Sequence, residues 1–320
     1  MRILITGSAG FIGFHLAKKL LENKKYKIFG LDNLNNYYSV NLKKNRLNIL
    51  KHNKNFCFLK IDITDKKSLE NIFKKYKFHY VFNLAAQAGV RYSISNPQAY
   101  FDSNILGFFN IINLCTDYKV RNLFFASSSS VYGDNKKFPL KETNNTDNPL
   151  SFYGATKKIN EVIASSYANI YKTNSTALRF FTVYGPFGRP DMALFKFTHN
   201  ILNKKTSDLY NGGEHVRDFT YVDDVVESLI RLLNSNKKSY FEIFNIAGGK
   251  PVTLNKYIKE IEKNLNIKGK FKKLKLQLGD VKKTHASSYK LNKRIGYIPK
   301  TRVSTGVKKF VSWYVNLYKK

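Results

Sequence analysis

The sequence is poor in cysteine, with only Cys57 and Cys115 among its 320 residues, and both lie inside apolar runs. Their separation fits neither a disulfide framework nor a cysteine-based metal site, so we exclude both and expect a reducing compartment. The amino terminus lacks the pattern of a signal peptide, and no apolar run reaches the length of about 18 residues that a membrane span needs. These absences predict a soluble, cytoplasmic protein without a metal.

Acidic residues are also scarce, at 22 against 55 Lys and Arg, which gives a net charge of +33. Such an excess suggests nucleic-acid binding, because clustered Lys and Arg neutralise phosphates. Arg, however, supplies only 10 of the basic residues, and the Lys residues are spread along the whole chain. Phosphate and base recognition favours the two-pronged Arg side chain. We therefore predict a solvated basic surface that attracts an anionic substrate, with no specific nucleic-acid partner and no membrane partner.

Hydrophobic residues make up 43% of the chain, enough for a sizeable core. Short apolar runs alternate with amphipathic helical patterns, which predicts an α/β fold with a doubly wound, Rossmann-type parallel sheet and a smaller, interleaved α/β domain. The predicted strands are residues 2–6, 27–31, 56–61, 80–84, 122–127, 176–181 and 242–246. The main helical patterns cover residues 11–23, 97–118 and 305–318.

Three glycines, Gly7, Gly10 and Gly13, lie where the first predicted strand turns into the first helix. They permit a tight turn and a close approach of the backbone to a pyrophosphate, which the amino end of the helix also favours. Asp32 ends the second predicted strand, where a carboxylate would bind a ribose 2′-hydroxyl and repel a 2′-phosphate. The two features predict a dinucleotide site that prefers NAD to NADP.

Tyr153 and Lys157 are four residues apart and share one face of a predicted helix. An ammonium beside a phenol stabilises the phenolate, so Tyr153 is expected to exchange a proton closer to neutral pH than its usual pKa of about 10. Four serines, residues 127–130, end another predicted strand, at the edge where ligands bind in doubly wound sheets. After a dinucleotide motif, these groups predict oxidation of an alcohol by hydride transfer to a nicotinamide.

The glycine spacing, the Tyr153–Lys157 pair and the serine-rich strand end together resemble the extended short-chain dehydrogenase/reductase superfamily, in its nucleotide-sugar epimerase/dehydratase branch. The resemblance implies that Ser128 is the catalytic hydroxyl beside Tyr153 and Lys157, with Ser130 as the alternative. It also implies a set of residues that bind NAD: Gly7, Gly10, Phe11, Ile12, Gly13, Asp32, Asn33, Asp62, Ile63, Leu84, Ala85, Ala86, Gln87, Asn104, Tyr153 and Lys157.

The second half of the chain extends this resemblance. Residues 211–224 resemble the family's diphosphate-binding segment, which implies that Arg217 pairs with the phosphates of a nucleotide sugar. Residues 279–284 resemble a later motif near the nucleotide, which implies a contact from Asp280. We expect an NAD-binding domain over residues 1–181 and about 216–246, and a nucleotide-sugar domain over about 182–215 and 247–320.

Within this branch, residues 32–38, 85–97 and 179–193 most resemble UDP-glucuronate 4-epimerases. A uronate carboxylate that loses its water needs a cation or several donors, and Thr182 with Arg189 would provide them, with Arg91 as a second candidate. The predicted substrate-binding residues are Arg91, Ser128, Ser130, Thr182, Arg189, Arg217 and Asp280.

Several alternatives remain open. Dehydratases of this branch carry an Asp-Glu pair where this chain has Ser129 and Ser130, so epimerisation through a 4-keto sugar is favoured over dehydration. The substrate is alternatively UDP-glucose or UDP-N-acetylglucosamine, and the reaction is alternatively decarboxylation of a UDP-uronate. A non-catalytic NAD- or RNA-binding protein would not need Tyr153 and Lys157. The resemblance also implies a homodimer that pairs through residues 97–118 and 153–171.

Overall fold

The computed structural model describes residues 1–275 and 280–318. Its centre is a seven-stranded parallel sheet with the strand order β11-β6-β5-β4-β1-β2-β3. The strands of this sheet are β1 (Arg2–Thr6), β2 (Lys27–Leu31), β3 (Phe56–Leu59), β4 (Tyr80–Asn83), β5 (Asn122–Ser128), β6 (Ser175–Phe180) and β11 (Phe241–Ile246). Each predicted strand is therefore present within two residues of its predicted ends.

Helices cover both faces of the sheet, and most of them connect consecutive parallel strands. The helices are α1 (Phe11–Leu20), α2 (Val40–Lys51), α3 (Lys66–Tyr76), α4 (Tyr92–Ser95), α5 (Pro97–Tyr100), α6 (Gly107–Asp117), α7 (Phe152–Tyr171), α8 (Ala193–Leu202), α9 (Val222–Leu233), α10 (Leu254–Leu265), α11 (Tyr289–Ile295) and α12 (Val303–Tyr318). A π-helical turn (Phe101–Leu106) joins α5 to α6, and a 3₁₀ turn (Ser129–Tyr132) follows β5.

Two apolar layers enclose the sheet. On one face, Phe14 of α1 and Val225 of α9 pack with the strands, and on the other face Phe73 of α3 and Ile111 of α6 do so; all four are fully buried. Strands buried on both faces require near-continuous apolar sequences, which these strands have. The predicted doubly wound sheet is confirmed.

A smaller part of the molecule is built from three two-stranded pairings, which join β7 to β10, β8 to β13 and β9 to β12. These strands are β7 (Thr182–Tyr184), β8 (Thr206–Tyr210), β9 (Val216–Arg217), β10 (Phe219–Tyr221), β12 (Val252–Thr253) and β13 (Lys270–Leu274). Helices α8, α10 and α12 supply its core through Leu194, Tyr257 and Phe310. The predicted NAD-binding segment of about 216–246 is therefore divided. Its strands β9 and β10 belong to this smaller part, whereas α9 and β11 belong to the large sheet.

The strand order reverses at β1, which has β2 on one side and β4 on the other. The connections after β1 and β4 leave toward opposite sides, so a crevice opens beyond the carboxyl ends of these two strands. The glycine-rich turn after β1 and the loop after β4 form its walls. In the described ranges, 1–275 and 280–318, no helix has both the length and the apolar character needed to cross a membrane.

Candidate active site

Two adjoining cavities occupy the crevice, and their linings share Gly7, Gly10, Leu84, Ala86, Ala88 and Arg189. They therefore form one continuous cleft beyond the carboxyl ends of the strands, where ligands bind in doubly wound sheets. Among the predicted residues, the smaller cavity is lined by Gly7, Gly10, Asp32, Asn33, Asp62, Ile63, Leu84, Ala85, Ala86, Gln87 and Arg189. The larger is lined by Gly7, Gly10, Phe11, Ile12, Gly13, Leu84, Ala86, Ser128, Ser130, Tyr153, Lys157, Thr182, Arg189, Arg217 and Asp280.

The glycine-rich turn fits a bound diphosphate. Gly7 has a positive φ of 70°, and a Cβ placed on it would lie 2.8 Å from the nitrogen of Ala85. A Cβ on Gly13 would lie 2.2 Å from the carbonyl oxygen of Gly7. Larger residues would therefore fill the turn, and glycines leave its backbone open at the amino end of α1. This cradle is what the phosphates of NAD require.

Asp32 closes the turn from the side of β2. Its carboxylate accepts hydrogen bonds from the backbone nitrogens of Ala9 at 3.1 Å and of Leu34 at 2.9 Å. Burial raises the pKa of Asp32, while these bonds and the charges of Lys43 and Arg46 oppose that shift. Asp32 therefore shapes the glycine turn as well as presenting a carboxylate to the smaller cavity.

Asn104 lies behind the lining of the cleft. Its side chain accepts a hydrogen bond from the nitrogen of Gln87 at 2.8 Å and donates to the oxygen of Gln87 at 3.0 Å. It also donates to the hydroxyl of Thr156 on α7 at 3.0 Å. Asn104 thus holds the backbone after β4 against the helix that carries Tyr153 and Lys157.

Tyr153 and Lys157 lie on one face of α7 and border the larger cavity. The Nζ atom of Lys157 is 5.9 Å from the centroid of the Tyr153 ring, and Lys157 is 3% exposed. Burial lowers the pKa of Lys157 to about 7. Burial raises the pKa of Tyr153, against the opposing effects of a hydrogen bond with Ser128 and the charge of Arg189. The expected lowering of the Tyr153 pKa is therefore not found, because removal of the phenol from water outweighs the neighbouring charges.

The four serines at the carboxyl end of β5 have different surroundings. Ser127 donates its hydroxyl to Glu161 at 2.6 Å, so this hydroxyl already has a partner on α7. The hydroxyl of Ser128 donates to that of Ser130 at 3.2 Å and accepts from the Ser130 nitrogen at 3.1 Å. Ser128 and Ser130 both line the larger cavity with Tyr153, and Ser128 is the one that acts on the pKa of Tyr153, by lowering it.

Arg189 lines both cavities, but it already has an acidic partner. Its Nε atom donates to Asp191 at 2.9 Å, and its Nη2 atom donates to the second carboxylate oxygen. Burial acts to raise the pKa of Asp191, yet the hydrogen bonds and charge of Arg189 hold it below the usual value. The pair carries no net charge, so a ligand carboxylate would share the guanidinium with Asp191 and would need further donors.

Arg217 and Asp280 form a second ion pair on the wall of the larger cavity, with Nη2 2.7 Å from the Asp280 oxygen. The Nε2 atom of His215 lies 3.6 Å from the other oxygen of Asp280.

Arg91, by contrast, is exposed and does not line either cavity. Its guanidinium lies 4.8 Å from the centroid of the Tyr210 ring. Gly279, the first residue of the predicted 279–284 motif, lies outside the described residues.

Two buried cations on α2 were not predicted as site residues. Lys43 lines the smaller cavity and donates to the backbone oxygen of Asn35 at 2.6 Å. Arg46 is fully buried and donates to the oxygens of Ala9 at 2.7 Å and Phe187 at 2.6 Å, so it ties the glycine turn to the loop that leads to Arg189. Their spacing of three residues on a Lys-rich helix is the only local signal, and it does not separate them from surface lysines.

The comparisons with known proteins agree with this geometry. A model of the NAD-dependent epimerase/dehydratase family matches residues 3–247. A protein from Rhizobium meliloti named as a probable UDP-glucuronate 4-epimerase is 41% identical, over 100% of this chain and 98% of its own length.

Two solved structures superpose on nearly the whole molecule. A UDP-glucuronic acid 4-epimerase from Bacillus cereus, in complex with UDP-glucuronic acid and NAD, gives a TM-score of 0.95 at 32% identity, covering 99% of this chain and 100% of that one. A UDP-glucose 4-epimerase from Thermotoga maritima, with UDP-glucose, gives 0.90 at 32% identity, covering 99% of each chain. The glycine cradle, the Tyr153–Lys157 face and the family match over most of the sequence lead to one conclusion. The chain belongs to the NAD-dependent epimerase/dehydratase family, and its cofactor is NAD.

Proposed function

We propose that this protein is a UDP-sugar 4-epimerase and that it converts UDP-glucuronate to UDP-galacturonate. The observation that carries the proposal is the set of side chains that line the larger cavity. The cavity brings Ser128, Tyr153 and Lys157 together with Thr182 and Arg189, which are predicted to bind a uronate. The names and bound ligands of the relatives support the same substrate, and the paired Arg217 and Asp280 would face its diphosphate. In this view the smaller part binds the nucleotide sugar and the large sheet binds NAD. The smaller part includes β9 and β10 in addition to the predicted residues 182–215 and 247–320.

The chemistry divides between cofactor and protein. The glycine turn and Asp32 would hold NAD, which would supply a hydride acceptor for C4 of the sugar and the same hydride for its opposite face. Tyr153 takes the proton of the C4 hydroxyl as the hydride leaves and gives it back when the hydride returns. Ser128 donates a hydrogen bond to the carbonyl oxygen that forms. A proton on Lys157 stabilises the phenolate of Tyr153, because little water screens two charges on this buried helix face.

The residues after Ser128 limit what happens to the 4-keto sugar. Ser129 and Ser130 have no acidic group to remove a proton from C5, so water is not eliminated. A 4-keto uronate is a β-keto acid, and it loses CO₂ when its carboxylate turns perpendicular to the carbonyl. Donors from Thr182 and Arg189 would hold the carboxylate away from that geometry. Return of the hydride is then the favoured outcome.

Purified protein incubated separately with UDP-glucuronate, UDP-glucose and UDP-N-acetylglucosamine, with separation of the products, tests this proposal. We expect UDP-galacturonate from the first sugar, no CO₂, no net formation of NADH and a lower rate with the other two. A higher kcat/KM for either neutral sugar would overturn the substrate assignment, and release of CO₂ would overturn the reaction.

Replacement of Asp32 should change the choice of cofactor. We expect Asp32→Ala to weaken NAD binding and to relax discrimination against NADP, because the 2′-phosphate no longer meets a carboxylate. Lys43 then remains as a cation in the same cavity, so Asp32→Ala/Lys43→Ala should lose the gained NADP affinity. Binding of both cofactors to stripped protein, measured by calorimetry, checks this. An unchanged NAD/NADP ratio in Asp32→Ala would refute the role of Asp32.

We also infer that two copies of the chain pair through α6 and α7. Phe109 of α6 is 43% exposed and Val162 and Ile170 of α7 are 56% and 65% exposed. The Phe109 ring meets the edge of the Tyr167 ring at a centroid distance of 6.4 Å. The apolar side chains of the two helices therefore form one surface, of the kind that marks an interface between proteins.

Charge placed on this surface should separate the copies. We expect Phe109→Glu/Val162→Glu to halve the mass measured by light scattering, because two buried carboxylates per chain would face each other across a two-fold axis. Tyr289→Glu is the matched control, since Tyr289 is 71% exposed on the distant helix α11. A wild-type protein that is monomeric at micromolar concentration would exclude the dimer.

A further inference from the structure

Helix α7 carries a third polar side chain in register with Tyr153 and Lys157, and this one is buried. Glu161 follows Lys157 by four residues and is 4% exposed. Its Oε1 atom accepts from the Ser127 hydroxyl at 2.6 Å and from Nε of Arg179 at 2.8 Å. Its Oε2 atom accepts from Nη2 of Arg179 at 2.7 Å. One carboxylate thus receives three directional hydrogen bonds.

The donors come from two neighbouring strands of the central sheet. Ser127 on β5 and Arg179 on β6 are direct register partners, and Asn245 on β11 continues the same row. Ser127 immediately precedes Ser128, the predicted catalytic hydroxyl, which lines the larger cavity with Tyr153. Glu161 therefore connects the helix that carries the predicted proton acceptor to the strand that carries its predicted hydrogen-bonding partner.

The far side of Arg179 is fixed as well. Its Nη1 atom donates to the backbone oxygen of Glu142 at 3.2 Å, and its guanidinium lies 4.8 Å from the centroid of the Tyr132 ring. The Tyr132 hydroxyl donates to Asn245 at 2.6 Å. These contacts hold the Arg179 guanidinium in place independently of Glu161. Arg179 is therefore a rigid partner for α7.

Apolar packing alone leaves a helix some freedom to slide along a sheet, whereas a two-pronged ion pair fixes position and angle together. A buried ion pair contributes little net stability, because the loss of hydration offsets the attraction. The arrangement therefore accounts better for precise placement of α7 than for stability.

Resting on the proposed epimerase function, we propose that Glu161 is a positioning residue that sets the distance between the Tyr153 hydroxyl and Ser128. Glu161 lines neither cavity of the cleft, so its role would be exerted through other residues. The two catalytic groups belong to different elements, α7 and β5, and Glu161 joins these elements one and two helical turns beyond Lys157 and Tyr153. A shift of α7 by an ångström would separate groups that must act on the same C4 hydroxyl, at a cost of about 10²-fold in rate.

The molecule offers a matched control for this proposal. Glu242 on β11 and Arg294 on α11 form a second buried two-pronged pair, with side chains 7% and 10% exposed and one contact of 2.9 Å. Glu242 lies near the amino end of its strand, at the edge of the sheet opposite the cleft. Loss of this pair removes a comparable interaction without touching the link between α7 and β5.

The experiment compares Glu161→Gln with Glu242→Gln, each loaded with NAD and normalised to bound NAD. We expect both to lose thermal stability, but only Glu161→Gln to lower kcat, by about 10- to 100-fold with KM changed less than about threefold. In the stopped flow, reduction of the bound NAD by the best UDP-sugar of the wild type, followed at 340 nm, should slow by the same factor. Ser127→Ala, which keeps the ion pair, should give a smaller decrease and serves if Glu161→Gln does not fold.

Three results would overturn the proposal. One is an unchanged kcat in Glu161→Gln, or in Ser127→Ala if only that variant folds. Another is an equal loss of kcat in Glu161→Gln and Glu242→Gln, which would assign both pairs to stability alone. The last is a wild type that epimerises none of the UDP-sugars, which would overturn the proposed function together with this inference. An active wild type with an unaffected Glu161→Gln would remove only the positioning role.

Discussion

Tyr153→Phe should lower kcat by about 10²- to 10⁴-fold while the protein keeps its NAD. The substitution removes the group that accepts the C4 proton and leaves the ring, so the volume of the site is preserved. Tyr153 lines the larger cavity together with Ser128, the last residue of β5. The measurement is kcat with UDP-glucuronate, together with the amount of NAD that remains bound after gel filtration.

Tyr100→Phe is the control for this variant. The Tyr100 ring meets the Tyr153 ring at a centroid distance of 6.0 Å, and its hydroxyl donates to the oxygen of Ala88 at 3.1 Å. Tyr100→Phe loses an equivalent hydroxyl nearby and should keep kcat within about tenfold, because that hydroxyl donates to the backbone oxygens of Ala88 and Gly89. Turnover near the wild-type rate in Tyr153→Phe would remove Tyr153 from the mechanism.

Arg189→Ala should damage turnover of UDP-glucuronate far more than turnover of UDP-glucose. A uronate carboxylate must lose water as the sugar binds, and the loss of its cationic partner in a buried site costs about 2–5 kcal/mol in kcat/KM. A neutral sugar places no charge there. The measurement is kcat/KM for both sugars in the wild type and the variant, and equal losses would make Arg189 a structural residue.

The ion pair between Arg189 and Asp191 gives a second explanation for a loss of UDP-glucuronate turnover, and a double variant separates the two explanations. Arg189→Ala leaves the partly buried carboxylate of Asp191 without its partner, and that anion would itself repel a uronate. The double variant Arg189→Ala/Asp191→Asn removes both charges. If Arg189 anchors the substrate, the selective loss of UDP-glucuronate turnover persists in the double variant. Recovery of the wild-type ratio would show that repulsion by Asp191 caused the loss.

Local patterns predicted the elements of this fold because strands buried on both faces must be apolar along their whole length. The carboxyl ends of β1 and β5 were also predictable from the sequence, because the glycine turn and the serine cluster mark where the chain changes direction. The pattern over residues 97–118 predicted one continuous helix, whereas the structure contains α5, a π-helical turn and α6. The wider turn contains Asn104, whose side chain bonds the backbone of Gln87. A periodicity of 3.6 residues does not encode this extra residue.

Partners that are distant in sequence were not predictable in this way. The bonds from Arg46 to Ala9 and Phe187 join α2 to two loops. The link from Glu161 to Ser127 and Arg179 exists only once β5, β6 and α7 have packed. Asp191 stands two residues from Arg189, yet sequence proximity in a loop does not fix whether two side chains meet. The prediction that Lys157 lowers the pKa of Tyr153 was also wrong, because this pKa depends on how much water the folded site retains.

The central claim is that one hydride leaves C4 and returns to the opposite face of the same sugar. UDP-glucuronate carrying deuterium at C4, incubated with the NAD-loaded protein in ordinary water, tests it most directly. We predict UDP-galacturonate that keeps its deuterium at C4, with the carboxylate intact and the same final ratio of the two sugars when the reaction starts from UDP-galacturonate. Replacement of the deuterium by solvent hydrogen, or a UDP-pentose with release of CO₂, would contradict the account.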